Sequence, residues 1–474
     1  MANSSFAAKP PLPADSEALP AKDAPATPAG LIARAKAILA DKSDSRIAQL
    51  FAGKVFLVRV GSAFISLVSQ VLLARWMGSF DFGIYIYAWT WVLMIGALSD
   101  MGLSSAARRF IPEYTELKHF DLLRGFLSGS RWLASTIALT IGLVGIGVVT
   151  LASPWLGDYE IIPLYLACAT IPIYGLVQVQ AGIAQSYDWP NLAFMPFYIV
   201  RQFVIVVLIG AAYLIGAPTH AVSAMLIALV ASWGVTLGQM VALDRGLRKK
   251  VPPGAKRYEV RAWLGTSLPI FVVEGFYLLL SYVDILTLEH FRSPNEVAVY
   301  YAAARLLAIV AFVYFAIAGA TTHKFSEYFV AGDSKRLASF FAETVRWTFW
   351  PSLFACALIL AFGIPLRELF GAGFVSGYDV MFILAAGMLA RAAVGPAERL
   401  LNMLGERKPC ALTYAGAFAV NLILCIVLIP RFGIEGAAAA TATAIVCESV
   451  SLYIFAKRRL GFHVFILGGR QQVG

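Results

Sequence analysis

The sequence predicts an all-α, polytopic membrane protein with about twelve transmembrane helices in two six-helix lobes. Three observations carry this. The 474 residues are 59% hydrophobic and only 14% charged, with a mean hydropathy of +0.74; a soluble domain is about half apolar and about a quarter charged. Twelve apolar stretches approach the roughly 20 residues a helix needs to cross a bilayer. They run over about 54–76, 83–104, 130–151, 161–184, 193–215, 221–243, 266–288, 297–320, 347–369, 380–403, 410–429 and 433–455. Finally, Lys and Arg crowd into alternate connections, as the positive-inside rule requires. Continuous rather than alternating apolar runs argue against a β-barrel.

In chain order, residues 1–50 ("AAKPPLPADSEALPAKDAPATPAG" at their heart) read as a disordered cytoplasmic tail, with a short amphipathic helix expected near 31–51. No apolar core follows a basic start, so the segment is not a signal peptide. The first lobe covers 51–244. The second covers 263–460, and 461–474 form a cytoplasmic tail. Between the lobes, 245–262 ("RGLRKKVPPGAKRYEVR" over 245–261) is a basic cytoplasmic linker. With the N-terminus cytoplasmic, 30 of the 38 Lys and Arg fall inside and only Arg75, Arg292, Arg367 and Arg431 fall outside; Arg59, Arg201, Arg305 and Arg391 lie within spans. Both termini are therefore expected in the cytoplasm, and the net charge of +10 reflects topology rather than a nucleic-acid partner.

The lobes read as a repeat. "GIYIYAW" (83–89) and "VAVYYAA" (297–303) align at an offset of 214, and Glu113-Tyr114 meets Glu327-Tyr328 at the same offset. Six spans return the chain to its starting side, so the copies share one orientation and their axis lies along the membrane normal.

Soluble-enzyme motifs are missing: there is no Walker loop, nucleophile elbow or zinc spacing. "GLVGIG" (142–147) lies within a span and reads as a helix-packing surface. The five cysteines sit in or beside apolar stretches and read as small fillers, and the five histidines show no metal-ligand spacing. The chain is therefore expected to be neither an enzyme nor a metalloprotein, with no cofactor beyond a coupling ion.

Charges inside the spans carry the chemistry. A charge at mid-bilayer costs about 2.5–3.5 kcal/mol on insertion scales, so it faces a polar cavity or a partner. For any one of the four arginines, snorkelling or pairing with Glu274, Asp100 or Glu398 is the competing account. Spread over both lobes with few acidic partners, Arg59, Arg201, Arg305 and Arg391 together favour a cationic, substrate-binding cavity. The planar guanidinium suits phosphate by donating two parallel hydrogen bonds. "VVEGFYLLLSYVD" (272–284) sets Glu274, Tyr277, Ser281 and Asp284 at i, i+3, i+7 and i+10, along one side of a helix. These four are the expected ion-coupling residues, for H⁺ or Na⁺. A structural ion pair competes for Glu274, and helix capping near the outer end competes for Asp284.

These residues carry a resemblance. "LLARWMGSFDFGIYIYAW" (72–89) and "LSDMGLSSAARRFIPEY" (98–114) resemble the start of Wzx-type polysaccharide flippases, of the multidrug/oligosaccharidyl-lipid/polysaccharide exporter superfamily. In the second half, "VDILTLEHFRSPNEVAVYYAAARL" (283–306), "LLNMLGERK" (400–408), Asn421 and "GIEGAAAATA" (433–442) resemble the same family, over about 50–460 in all. Val297-Ala298 departs from the frequent Val-Gly. The resemblance implies a twelve-helix, two-lobed transporter of the bacterial inner membrane. It would flip an undecaprenyl-diphosphate-linked oligosaccharide by alternating access for O-antigen, capsule or exopolysaccharide assembly, often coupled to H⁺ or Na⁺ antiport. The implied partners are membrane lipid, the anionic lipid-linked oligosaccharide, a polysaccharide polymerase and glycosyltransferases. A multidrug/toxin cation antiporter of the same superfamily would favour an acidic cavity. A non-transporting scaffold for glycan synthesis would need no cavity charges. A polymerase or ligase would need a long periplasmic loop, and every expected outer loop is short.

Overall fold

The computed structural model describes residues 44–404, 406–461, 465 and 466. The chain forms two compact units, 1–50 and 51–474. Of the first, only the helical residues 44–50 are described, so the expected tail lies almost wholly outside the described residues; so do 467–474 of the C-terminal tail.

The described elements are helical. In order they are α1 (Asp44–Leu98), α2 (Leu103–Glu116), α3 (Phe120–Ala152), α4 (Asp158–Ser186), α5 (Pro190–Met195), a π-turn (Pro196–Val200), α6 (Arg201–Leu214), α7 (Ala221–Leu247) and α8 (Val260–Phe291). Then come α9 (Pro294–Leu307), α10 (Val310–Val330), α11 (Ser334–Ala361), α12 (Gly363–Glu368), α13 (Tyr378–Val394), α14 (Ala397–Met403) and α15 (Arg407–Leu460).

Two of these helices are broken. α1 kinks at Gly78 (φ 79°, ψ 169°) and α15 at Gly433 (φ 57°, ψ −130°). Both glycines adopt a positive φ that side chains with a Cβ resist. Among the described residues, nine segments are long and apolar enough to cross a membrane, or ten when α9 and α10 count as one bent span. That count falls short of the expected twelve. Much of the difference lies in Val60–Glu116 and Lys408–Arg459, whose 57 and 52 residues each exceed twice the roughly 20 residues of a single crossing. Some ends also move: α3 begins at Phe120 and α11 at Ser334, each well before its apolar stretch, because a helix does not stop where the membrane does. Conversely, α13 ends at Val394, where Gly395 (φ 64°) and Pro396 break the stretch expected to reach 403.

The 214-residue offset reappears in the backbone. α2 ends at Glu116 and α10 at Val330; α3 begins at Phe120 and α11 at Ser334. Within that turn Lys118 (φ 57°) and Gly332 (φ 70°), again 214 apart, both adopt the left-handed conformation.

The bundle has two ends. One, the kink end, carries Gly78, the connections 153–157, 215–220 and 292–293, the segment 362–377, and Gly433. Here Asp81 accepts a hydrogen bond from the first amide of α7, Ala221 N (2.8 Å). Arg292 donates to Ile429 O and Pro430 O (3.1 and 3.0 Å), just before the Gly433 break. The linker end carries 99–119, 187–189, 248–259, 331–333 and 395–406.

The halves join at the kink end. One core there takes Leu73, Phe82, Trp89 and Ile205 from the first half, and Leu288, Tyr300, Phe374 and Ile429 from the second. Arg75 donates to Leu369 O (2.6 Å) and Glu368 O (3.2 Å), and Ser79 Oγ meets Asn295 Oδ1 at 2.6 Å. Gly83 lies so close to Pro294 O that a Cβ would overlap it. The buried Glu160 and Glu289 carboxyls, one from each half, hydrogen-bond each other. Toward the linker end the core divides. One cluster packs α2, α3, α4 and α7 with Trp263, and a separate one packs α10, α11, α14 and α15.

α8 crosses between the halves. Its start belongs to the first: Trp263 is fully buried there and donates to Tyr114 Oη (3.2 Å), and Gly102 sits 2.8 Å, measured from where its Cβ would be, from Ser267 O. Its end belongs to the second, where Leu280 packs with Tyr414 and Ala444.

Candidate functional site

Arg201 opens α6 directly after the π-turn and is buried. Its guanidinium lies 4.0 Å from the Phe197 ring centre and 4.7 Å from that of Trp89. Nε donates to Phe197 O (3.2 Å), while Nη1 has no hydrogen-bond partner among the described residues. Tyr85, Tyr174 and Tyr198 feel its charge, and no carboxylate lies within salt-bridge distance among the described residues. Aromatic faces attract a cation without neutralising it.

From the second half, Arg305 donates from Nη2 to Ser66 Oγ of α1 (2.7 Å). Tyr282 and Tyr301 lie near enough to feel its charge. Tyr282 also lies near Tyr174 and Tyr198, and Tyr301 near Tyr85. The two guanidiniums, one per half, are thus bridged by a belt of tyrosines.

Arg391 is different. Its Nη2 lies 2.6 Å from Glu448 Oε1, and its guanidinium is 5.9 Å from the Tyr314 ring centre. It borders a cavity of about 50 Å³ with Tyr314 and Ser352. The counter-ion is none of the three carboxylates considered from sequence, although Glu448 in "VCESV" is itself a charge within an apolar stretch. The side chain of Arg59 lies outside the described residues.

The acidic stripe of α8 divides. Ten residues at 100° leave about 80° between Glu274 and Asp284. Glu274 turns to the first half, accepting from Ser105 Oγ (3.3 Å) beside Asp100 and Arg108. Asp284 turns into the second half and is buried. Its Oδ2 accepts from Tyr300 Oη (2.6 Å) and Thr441 Oγ1 (3.1 Å), and its Oδ1 from Ile285 N (2.9 Å). Tyr277 stacks edge-on against Tyr414 (5.4 Å), and the Ser281 hydroxyl is spent on Tyr277 O (2.7 Å). The structure therefore brings Asp284 together with Tyr300 and Thr441, which sequence spacing does not group, and separates it from Glu274.

Arg367, counted from sequence among the outside charges, lies at the kink end and is fully buried beside Val299 and Gly377, with Nε and Nη1 unpartnered among the described residues. Burial pulls its guanidinium down to about 10.

With this geometry in hand, three comparisons bear on kinship. The family model described as polysaccharide biosynthesis protein matches residues 53–328. The chain is 23% identical over 415 residues to the probable low-salt glycan biosynthesis flippase Agl15 of Haloferax volcanii, covering 84% of this chain and 81% of that one. Among solved structures it resembles the inward-facing conformation of a multidrug resistance MATE family transporter of the MOP superfamily, with a TM-score of 0.69 at 14% identity over 86% of this chain and 98% of that one. It also resembles the lipid II flippase MurJ in an inward closed conformation, with a TM-score of 0.66 at 14% identity over 85% and 87%. The fold is that of these transporters, and a family match over more than half its length identifies this multi-pass membrane protein as a member of the polysaccharide biosynthesis protein family.

Proposed function

We propose that the chain is a flippase that moves an undecaprenyl-diphosphate-linked oligosaccharide across the cell membrane by alternating access between two lobes, 51–244 and 263–460. The observation that carries this reading is the pair Arg201 and Arg305, one in each half, neither within salt-bridge distance of a carboxylate among the described residues and both near tyrosines. A diphosphate between them would supply the missing anion, bidentate to each fork, and tyrosine faces suit sugar rings. The cores join at the kink end and divide at the linker end, which is the arrangement of a carrier open toward the linker. The basic linker and both termini then face the cytoplasm, so the cleft is poised to load substrate from the inner leaflet. The polymerase and glycosyltransferases that act on such substrates are the expected partners.

The coupling ion, H⁺ or Na⁺, is assigned to Asp284, whose buried carboxylate already gathers two hydroxyls. Glu274 is a second candidate, open to the first half. A cation antiporter is the weaker reading, because the two unneutralised arginines would repel its cargo.

The test measures export and protein level in the same cells. Arg201→Gln and Arg305→Gln should lose most export at normal protein level, with Lys restoring part of it. Arg391→Gln should instead lose protein, since an uncompensated buried Glu448 costs about 3–5 kcal/mol. Normal export by both Arg201→Gln and Arg305→Gln would overturn the reading. Asp284→Asn should uncouple export from the ion gradient; unchanged gradient dependence would remove Asp284 from the coupling role.

A further inference from the structure

Away from the tyrosine belt, a furrow runs along the outside of the first half, between α3 and α7. At the linker end it opens as a cavity of about 510 Å³. Its wall carries Arg124, Arg131, Arg248 and Lys256 against one carboxylate, Asp244. Asp244 is taken by Arg131 at 2.7 Å. Arg124 is held by neutral linker carbonyls, Ala255 O (2.8 Å) and Pro252 O (2.9 Å), so its charge stays uncompensated. Arg248 and Lys256 are exposed. The mouth therefore carries three cations in excess, over a floor that includes Leu127, Leu247 and Val251.

Farther from the linker the furrow becomes an apolar groove of about 460 Å³, walled by Leu139, Leu143 and Ile146 of α3, Trp233 and Leu237 of α7, and Leu176 of α4. The two cavities belong to one feature. On α3 their walls use 124, 127, 128, 131, 135, 139, 142, 143 and 146, and on α7 they use 233, 237, 244 and 247. Both series recur at i, i+3, i+4 and i+7 spacings, which is a single helix face. From 124 to 146 the furrow spans about 33 Å of helix axis, close to the roughly 30 Å of a bilayer's hydrocarbon.

We propose that this furrow binds an anionic phospholipid, its head group in the Arg124–Arg248–Lys256 mouth and an acyl chain along Leu139, Leu143 and Leu237. A mouth with excess positive charge at a membrane face selects anionic head groups, and the groove beyond it offers the chain an apolar bed. The occupant is a resident lipid rather than transported cargo, because every wall residue belongs to the first half or the linker. Motion of one half against the other would leave such a site intact, whereas cargo must be released in every cycle.

The test uses the full chain, purified in neutral detergent and stripped of lipid. Phosphatidylglycerol should raise its melting temperature and phosphatidylcholine should not. Arg248→Gln with Lys256→Gln should weaken phosphatidylglycerol binding about fivefold per charge removed. Leu143→Trp, at a position 60% exposed and so no threat to folding, should weaken it with the mouth intact. Equal stabilisation by phosphatidylcholine, or unchanged binding in both variants, would overturn the proposal. Undecaprenyl diphosphate displacing phosphatidylglycerol at lower concentration would overturn it too, by making the furrow a station for cargo.

Discussion

The two ends of this protein solve opposite problems with similar materials. At the kink end, helices from both halves approach to backbone contact at Gly83 and Pro294, and their side chains merge into one core. At the linker end the two cores are separate, and α8 spans them, with Trp263 buried in the first and Glu274 accepting from Ser105. Tight apolar burial gains free energy with every Å² removed from water and tolerates no wedge. Isolated polar contacts are weak and exchange readily with water. The difference teaches where the halves are sealed and where they part.

Three experiments press on that contrast. The largest effect belongs to Gly83→Val, which drives a branched side chain into Pro294 O. We expect a loss of about 3 kcal/mol or more, read as a lower melting temperature and poor folded yield. Unchanged stability would mean that the seal yields. Next, Ser79→Cys with Asn295→Cys should form a disulfide across the kink end on oxidation. Export should stop and return on reduction; four of the five native cysteines are buried and leave little background. Free export by the fully cross-linked protein would show that the kink end never opens. The smallest effect is expected from Glu274→Gln at the linker end. Its half-open contact should be worth about 1 kcal/mol or less, measured as a slight change in melting temperature; a large loss would mean that the linker end is sealed as well.

Much of this was readable in the chain, and the gaps have physical causes. Hydropathy finds membrane helices because lipid leaves the backbone no other option. The repeat was read from Glu113-Tyr114 and Glu327-Tyr328, and the left-handed turns at Lys118 and Gly332 share its offset of 214. The break at Gly433 was visible as the gap between the stretches 410–429 and 433–455, which Pro430 and Arg431 open. Site chemistry was readable as residue type but not as partnership. Arg391 and Arg201 look alike in "MLARAAV" and "YIVRQFV", yet one meets Glu448, 57 positions onward, and the other meets only aromatic rings. Asp284 finds Thr441 across 157 positions. No spacing rule within a helix reaches so far.

The crossing of α8 has a mechanical consequence. Trp263 clamps one end of this helix into the first half, while Leu280 and Asp284 rivet the other into the second. The linker before it is no slack tether, because Arg124 and the Arg257 amide pin it to α3. Any swing of one half must therefore flex α8 itself, as a leaf spring bends between two fixed clamps. The stretch between the clamps contains Pro269, which removes one rung of the helical ladder and softens the spring.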